Sequence, residues 1–298
     1  MAQRIAVVGL GSMGFGMAQS LLRAGHAVHG FDISPAAVKR LLAEGGLGGA
    51  AVDVAPTVDA LVIVVLNAAQ TETVLFGPDG WAAGLRPGSV VISCATVAPS
   101  FARDMAARCG EHGLPYLDAP ISGGAVKAAQ GKLSVMASGS VEAFAAADPA
   151  LAAMAETVFE LGPEPGAASA MKAVNQLLAG VHIAAMAEAL TFGMSQGLDP
   201  ARIVEVIAKC AGASWMFENR APHVVEGDYT PRSSIDIWPK DLGIVLSIAA
   251  EARFSAPLAA AALQQFMAAA GSGLGAEDDA AVAKVYARNA GLKLPGVR

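Results

Sequence analysis

Apolar positions along this chain fall into two regimes. Up to about residue 161 short, continuously apolar runs alternate with stretches of helical period, and beyond residue 165 only the helical period remains. The runs at residues 4–8, 27–31, 61–66, 89–94, 114–117, 133–137 and 157–161 predict strands. None alternates strictly, as expected of a parallel sheet covered on both faces. Helical patterns at 17–24 and 141–155 lie between them, so residues 1–163 read as an α/β domain with a doubly wound, mostly parallel sheet. Gly162-Pro163-Glu164-Pro165 punctuates the boundary. Residues 164–298 then read as an all-α domain, with patterns at 200–210, 242–252, 257–270 and 279–290.

The longest pattern runs from 166 to 196, bracketed by Pro165 and Pro200, and predicts one helix roughly 45 Å long. It is apolar nearly all round, which predicts neighbours on every side. Lys172, Asn175 and Gln176 interrupt it at i, i+3 and i+4, on one face within about a turn. Lys172 reads either as a solvated lysine near the helix entry or as a group held for chemistry.

Composition narrows the classes. The 298 residues suffice for two domains, 54% are hydrophobic and only 15% charged, so there is ample material for a core. The apolar run at 177–187 contains His182 and is shorter than the ~20 residues a membrane span needs, so no membrane is expected. A net charge of −6 offers no basic surface for nucleic acid. Cys94, Cys109 and Cys210 are widely spaced, without paired spacing for zinc; they read as buried reduced thiols, with no metal. The N-terminus enters a strand without a leader pattern, and a cytoplasmic location is expected. So few charges over so large a surface suggest a homodimer or homotetramer.

The first strand is followed by Gly9-Leu10-Gly11-Ser12-Met13-Gly14 and then a helix. In that context G-x-G-x-x-G is a dinucleotide fingerprint of a Rossmann-type fold: Gly9 for the turn, Gly11 for close approach of a pyrophosphate, Gly14 for helix packing, with Ser12 and Met13 opening the helix. Asp32 ends the next strand about twenty residues on, where a carboxylate accepts from ribose hydroxyls and repels a 2′-phosphate, so NAD is the expected cofactor. Its alternative reading is a cap for the helix at Pro35. Ligands of such sheets sit at the carboxyl ends of the strands, which places Gly11, Asn67, Thr96 and Ser122 on one rim.

Asp118-Ala119-Pro120-Ile121-Ser122-Gly123-Gly124 is a second glycine-rich loop. Ser122 and the N–H groups of Gly123 and Gly124 suit a carboxylate, and a plain turn into the next helix is the other reading. Trp238-Pro239-Lys240-Asp241-Leu242 reads as a helix entry, with Lys240 ahead of the N-terminus and Asp241 in the first turn.

In order and spacing GLGSMG, DAPISGG, KAVNQ at 172–176 and KDLGI at 240–244 resemble the β-hydroxyacid dehydrogenase family over nearly the whole chain. That family includes 3-hydroxyisobutyrate dehydrogenase and tartronate semialdehyde reductase. The resemblance implies a Rossmann domain, an all-helical domain hung on a long helix, and an active site in the cleft between. Carried over, Lys172 matches the catalytic lysine, with Asn175 beside it; Ser122, Gly123 and Gly124 match the substrate-carboxylate loop; Thr96 matches a cofactor and substrate contact. Lys240 matches the lysine reaching in from the helical domain, assigned here to the cofactor. Where many members carry two asparagines this chain has Asn175-Gln176, and the longer Gln176 is expected to reshape the substrate pocket. Segments 65–77 and 172–189 look like the branch that oxidises L-threonate. Imine reductases resemble the fold but usually lack the lysine at the position of Lys172, and a non-catalytic NAD-binding protein would not need this polar set.

Overall fold

The structure, a computed structural model, describes residues 2–296. The chain divides into two compact units, Met1–Lys172 and Ala173–Arg298.

In the first unit β1 (Arg4–Val8), β2 (Ala27–Phe31), β3 (Ala60–Ile63), β4 (Val90–Ser93) and β5 (Tyr116–Asp118) form one sheet in the order β2-β1-β3-β4-β5. All its pairings are parallel. Ile5, Val62 and Ile92 are fully buried, which is why these strands carry no polar alternation. The order reverses beside β1, so the loop after it opens at the switch point where α/β sheets take their ligands. A second sheet, absent from the sequence expectation as a separate layer, joins β6 (Ile121–Ser122), β7 (Leu133–Ala137) and β8 (Ala155–Glu160). There β6 is antiparallel to β7, and β8 parallel to it. Asp118 and Ser138 exchange backbone hydrogen bonds of 3.0 and 2.9 Å, so β5 runs directly into this second sheet.

The second unit is helical, around Ile183, Met186, Leu190, Phe217, Trp238, Leu242 and Phe266. The Trp238 and Phe266 rings stack at 5.4 Å. Gly180 lets the long helix approach: a Cβ there would stand 3.0 Å from both Leu242 and Trp238 side-chain atoms. Helix Trp215–Glu226 was not foreseen, because Asn219, Arg220, Pro222 and His223 break up its apolar period. Arg220 and His223 serve a buried network instead. Arg220 Nε donates to Asp279 at 2.6 Å, Trp238 Nε1 donates to the same carboxylate at 3.1 Å, and His223 Nδ1 pairs with Asp278 at 2.8 Å.

The long helix spans Ala167–Ser195 and contains the division between the units. Two expectations about it change. It is not covered on every side: Val174 is 55% exposed and Phe192 66%, with Leu178 between them on the same stripe. By length and mean hydropathy, 1.5 over its most apolar window, it could also span a membrane, which the count over 177–187 missed; half of that window is buried inside the folded chain, as in a core helix. Among the cysteines Cys94 and Cys109 are buried, but Cys210 is exposed.

Candidate active site

The loop after β1 is shaped by its glycines. Gly9 has φ of +95°, and a Cβ on it would lie 2.3 Å from the Val64 carbonyl oxygen; one on Gly14 would lie 1.8 Å from the Gly9 oxygen. Packing therefore demands the first and third glycines. The second differs, since a Cβ on Gly11 would meet nothing within 4 Å. That open side, at the N-cap of helix Ser12–Arg23 with no acid in its first turn, leaves the N–H groups of Ser12, Met13 and Gly14 where a pyrophosphate can approach. Asp32 lies beside the loop: Oδ2 accepts from Leu10 N at 2.6 Å and Oδ1 from Ser34 N at 2.7 Å. Thus it braces the turn as well as facing a cavity of about 410 Å³ lined by Phe31, Ile33, Val38, Gly48 and Gly49. A mostly apolar slot ending in one carboxylate fits the adenosine end of NAD, and the loop fits its phosphates.

Asn67 caps helix Ala68–Phe76, its side chain accepting from Gln70 N at 2.9 Å while Gln70 Oε1 accepts from Leu66 N at 2.9 Å. Thr96 follows β4, half-buried, ahead of helix Pro99–Glu111.

The second glycine-rich loop and the lysine meet within the first unit. Ser122 pairs across the small sheet with Ser134, and Gly123 and Gly124 turn the chain at φ of +135° and +79° into helix Gly124–Gln130, a turn reserved for glycine. Lys172 is only 8% exposed and its Nζ donates to the Ile121 carbonyl at 2.8 Å, which excludes the solvated reading. The ammonium nitrogen is thus held next to the residue that precedes Ser122.

Asp118, which sequence reasoning passed over, anchors this arrangement. Its carboxylate, 1% exposed, accepts from Gly166 N and Ser169 N, each at 2.9 Å, and from Ser169 Oγ at 2.7 Å. It therefore satisfies donors at the opening turn of the long helix, one turn before Lys172. Burial raises the Asp118 pKa, against the opposing effect of those hydrogen bonds. The same burial, with Asp118 nearby, pushes the Cys94 thiol up to about 12.

In the second unit the structure brings together Asn175, Gln176 and Lys240 around another missed carboxylate. Asp241 is 2% exposed; Gln176 Nε2 donates to its Oδ2, and Lys240 Nζ lies 2.5 Å from its Oδ1. Asn175 Nδ2 donates to Gln176 Oε1 at 2.8 Å. Lys240 was expected ahead of a helix whose pattern begins at 242, with Asp241 in its first turn, but helix Ile237–Glu251 starts five residues earlier, takes in Lys240 and buries Asp241. Pro239 does not prevent this, because the first helical N–H groups have no partner inside the helix. The available signal in the sequence was an acid beside apolar residues, Leu117-Asp118-Ala119 and Asp241-Leu242, in a chain with few charges.

Comparison with known proteins agrees with this geometry. Residues 4–162 match the family described as the NAD binding domain of 6-phosphogluconate dehydrogenase, and residues 166–286 the family described as NAD-binding of NADP-dependent 3-hydroxyisobutyrate dehydrogenase. An L-threonate dehydrogenase of Cupriavidus necator is 50% identical, covering 99% of both chains. A 3-hydroxyisobutyrate dehydrogenase of Pseudomonas aeruginosa is 37% identical over 88% of this chain and 90% of its own. The crystal structure of a 3-hydroxyisobutyrate dehydrogenase from Salmonella typhimurium superimposes with a TM-score of 0.90 at 50% identity, over 95% of this chain and 99% of that one. With a fingerprint loop built for a dinucleotide and both halves matched, the chain belongs to the β-hydroxyacid dehydrogenase family, as an NAD-dependent hydroxyacid dehydrogenase.

Proposed function

We propose that the chain oxidises L-threonate at its 2-hydroxyl to 2-oxo-tetronate, with NAD as the hydride acceptor and Lys172 as the general base. The observation that carries the chemistry is the burial of Lys172 with its Nζ 2.8 Å from the Ile121 carbonyl, beside the Ser122-Gly123-Gly124 loop. The identity to L-threonate dehydrogenases, 50% and 46% over nearly full length, supports the substrate.

Bound NAD supplies the acceptor for the hydride leaving the carbinol carbon. Lys172 takes the proton of the same carbon's hydroxyl, so that the carbonyl forms as the C–H bond breaks; in reverse, its ammonium protonates the forming alkoxide. Ser122 and the N–H groups of Gly123 and Gly124 hold the substrate carboxylate, which fixes the distance between the reacting carbon and Lys172. Asn175, one turn along the helix, orients the substrate, and Gln176 shapes the pocket beside it. Gly9, Gly11, Ser12, Met13, Gly14, Asp32, Asn67, Thr96 and Lys240 are assigned to the cofactor.

Within the same reading, residues 1–163 form the NAD-binding domain and residues 164–298 the substrate and oligomerisation domain. A homodimer or homotetramer would cover the exposed Val174, Leu178 and Phe192 stripe. Free cysteines fit a cytoplasmic location. The deciding experiment follows reduced-nicotinamide absorbance with NAD and a panel of L-threonate, 3-hydroxyisobutyrate, glycerate and tartronate semialdehyde with NADH. Turnover with L-threonate well above the rest is expected. Preference for 3-hydroxyisobutyrate or tartronate semialdehyde would reassign the substrate, and silence throughout would leave a non-catalytic NAD-binding protein.

A further inference from the structure

A carboxylate has only lone pairs to offer, so an amide facing it must turn its NH2 end inward. Gln176 does this against buried Asp241, which points the Gln176 oxygen the other way, where Asn175 Nδ2 donates to it at 2.8 Å. A second amide is then fixed as well: flipping Asn175 would set its carbonyl oxygen against that of Gln176. Lys240 Nζ, 2.5 Å from the second Asp241 oxygen, supplies the counter-charge to this buried carboxylate from a side chain that is itself partly exposed. The carboxylate thus writes a direction into two amides in succession. At its end Asn175 keeps the carbonyl oxygen Oδ1, a pure acceptor, for whatever lies away from Gln176.

We infer that Asp241 is a positioning residue that sets the polarity of Asn175 and thereby selects substrates with a second hydroxyl next to the reacting carbon. The inference rests on the proposed reading that Lys172 and Asn175 face the substrate. An acceptor oxygen one helical turn from the base receives a hydroxyl hydrogen from the adjacent carbon of a polyhydroxy acid. A methyl group in that place leaves the oxygen unpaired, and sites built to bond a hydroxyl reject analogues lacking it far more strongly than shape alone does. Gln176 is the link: its added methylene, relative to asparagine, lengthens the arm that meets Asp241.

The test compares kcat/KM for L-threonate and for 3-hydroxyisobutyrate, which carries a methyl group beside its reacting carbon, in wild type, Asp241→Asn and Gln176→Met. Asparagine at 241 can offer either end to Gln176, so the direction is lost. Methionine at 176 keeps the volume and removes the link; it carries the test should Asp241→Asn fail to fold. The ratio of the two specificities is expected to narrow at least about tenfold in either variant, through L-threonate, while in Gln176→Met, which leaves the Lys240–Asp241 pair in place, the NAD Kd stays within about twofold. Equal losses for both substrates, the mark of a merely structural role, would overturn the inference, as would an unaltered ratio in Gln176→Met. A wild type that ignores L-threonate would sink the substrate reading and this inference together. A wild type that prefers L-threonate, with the ratio unmoved in the variants, would sink this inference alone.

Discussion

Ser169 donates its hydroxyl to Asp118 at 2.7 Å and its backbone N–H to the same carboxylate at 2.9 Å, tying the end of the main sheet to the opening turn of the helix that carries Lys172. Asp118→Asn keeps the shape but sets an NH2 group against backbone donors. A loss of about 1–3 kcal/mol is expected in denaturant unfolding. The Asp118 pKa is raised by burial, so its ionisation opposes folding: its contribution is fullest below the ordinary carboxylate range and falls as pH rises through the raised value. The asparagine variant, which does not titrate, should flatten that part of the stability–pH curve; an unchanged curve would mean that Asp118 titrates as it does in the unfolded chain.

Lys172→Ala should bind NAD as the wild type does and lose at least ~10²-fold in kcat, the lower end for removal of a general acid/base. Fluorescence titration with NADH and steady-state rates separate the two effects. Near-normal kcat would remove Lys172 from the chemistry.

Asp32→Ala should narrow the preference for NAD over NADP in kcat/KM, because the group that repels a 2′-phosphate is gone. Since Asp32 also accepts from Leu10 N at 2.6 Å, affinity for both cofactors should fall too. A preference ratio equal to that of the wild type would count against the ribose contact.

Arg220→Ala removes the charged partner of Asp279, which has no exposure. Breaking one side of a buried pair typically costs about 3–5 kcal/mol. Burial already raises the Asp279 pKa and the Arg220 charge lowers it, so the variant should raise it further. The loss should therefore grow as pH rises above the ordinary carboxylate range, as the unpaired carboxylate is forced to ionise in the folded state. Melting temperatures measured upward from that range check the sign, and a loss that shrinks with rising pH would contradict it.

Burial pushes the Cys94 and Cys109 thiols up to about 12, whereas Cys210 is exposed. An aromatic disulfide reagent at neutral pH should titrate one thiol in the native protein and all three after unfolding. Rapid reaction of more than one would show that the sheet opens readily.

Periodicity was enough for the sheet's strands and for the long helix, because burial on both faces leaves uninterrupted apolar runs in Val7, Val62 or Ile92 and a helical period in residues 166–196. Motif spacing alone marked the glycine-rich loop after the first strand, since Gly9 takes φ of +95° and Gly14 closes on the Gly9 oxygen within that loop, whereas the Val64 carbonyl that also crowds Gly9 is brought there only by the fold. The candidate site was legible as a set of residue types, Ser122, Lys172, Asn175, Gln176 and Lys240, but not as an arrangement. Whether Lys172 is solvated or buried, and whether Asp118 and Asp241 are ordinary turn acids or buried acceptors, each within its own unit, depends on partners as many as 65 residues away in sequence. Helix Trp215–Glu226 hid for the same reason: its Arg220 and His223 face a buried network, not water. Local preference is written into neighbouring residues, but the worth of a charge depends on the dielectric and the hydrogen-bond partners around it, and those are assembled only when the chain is folded.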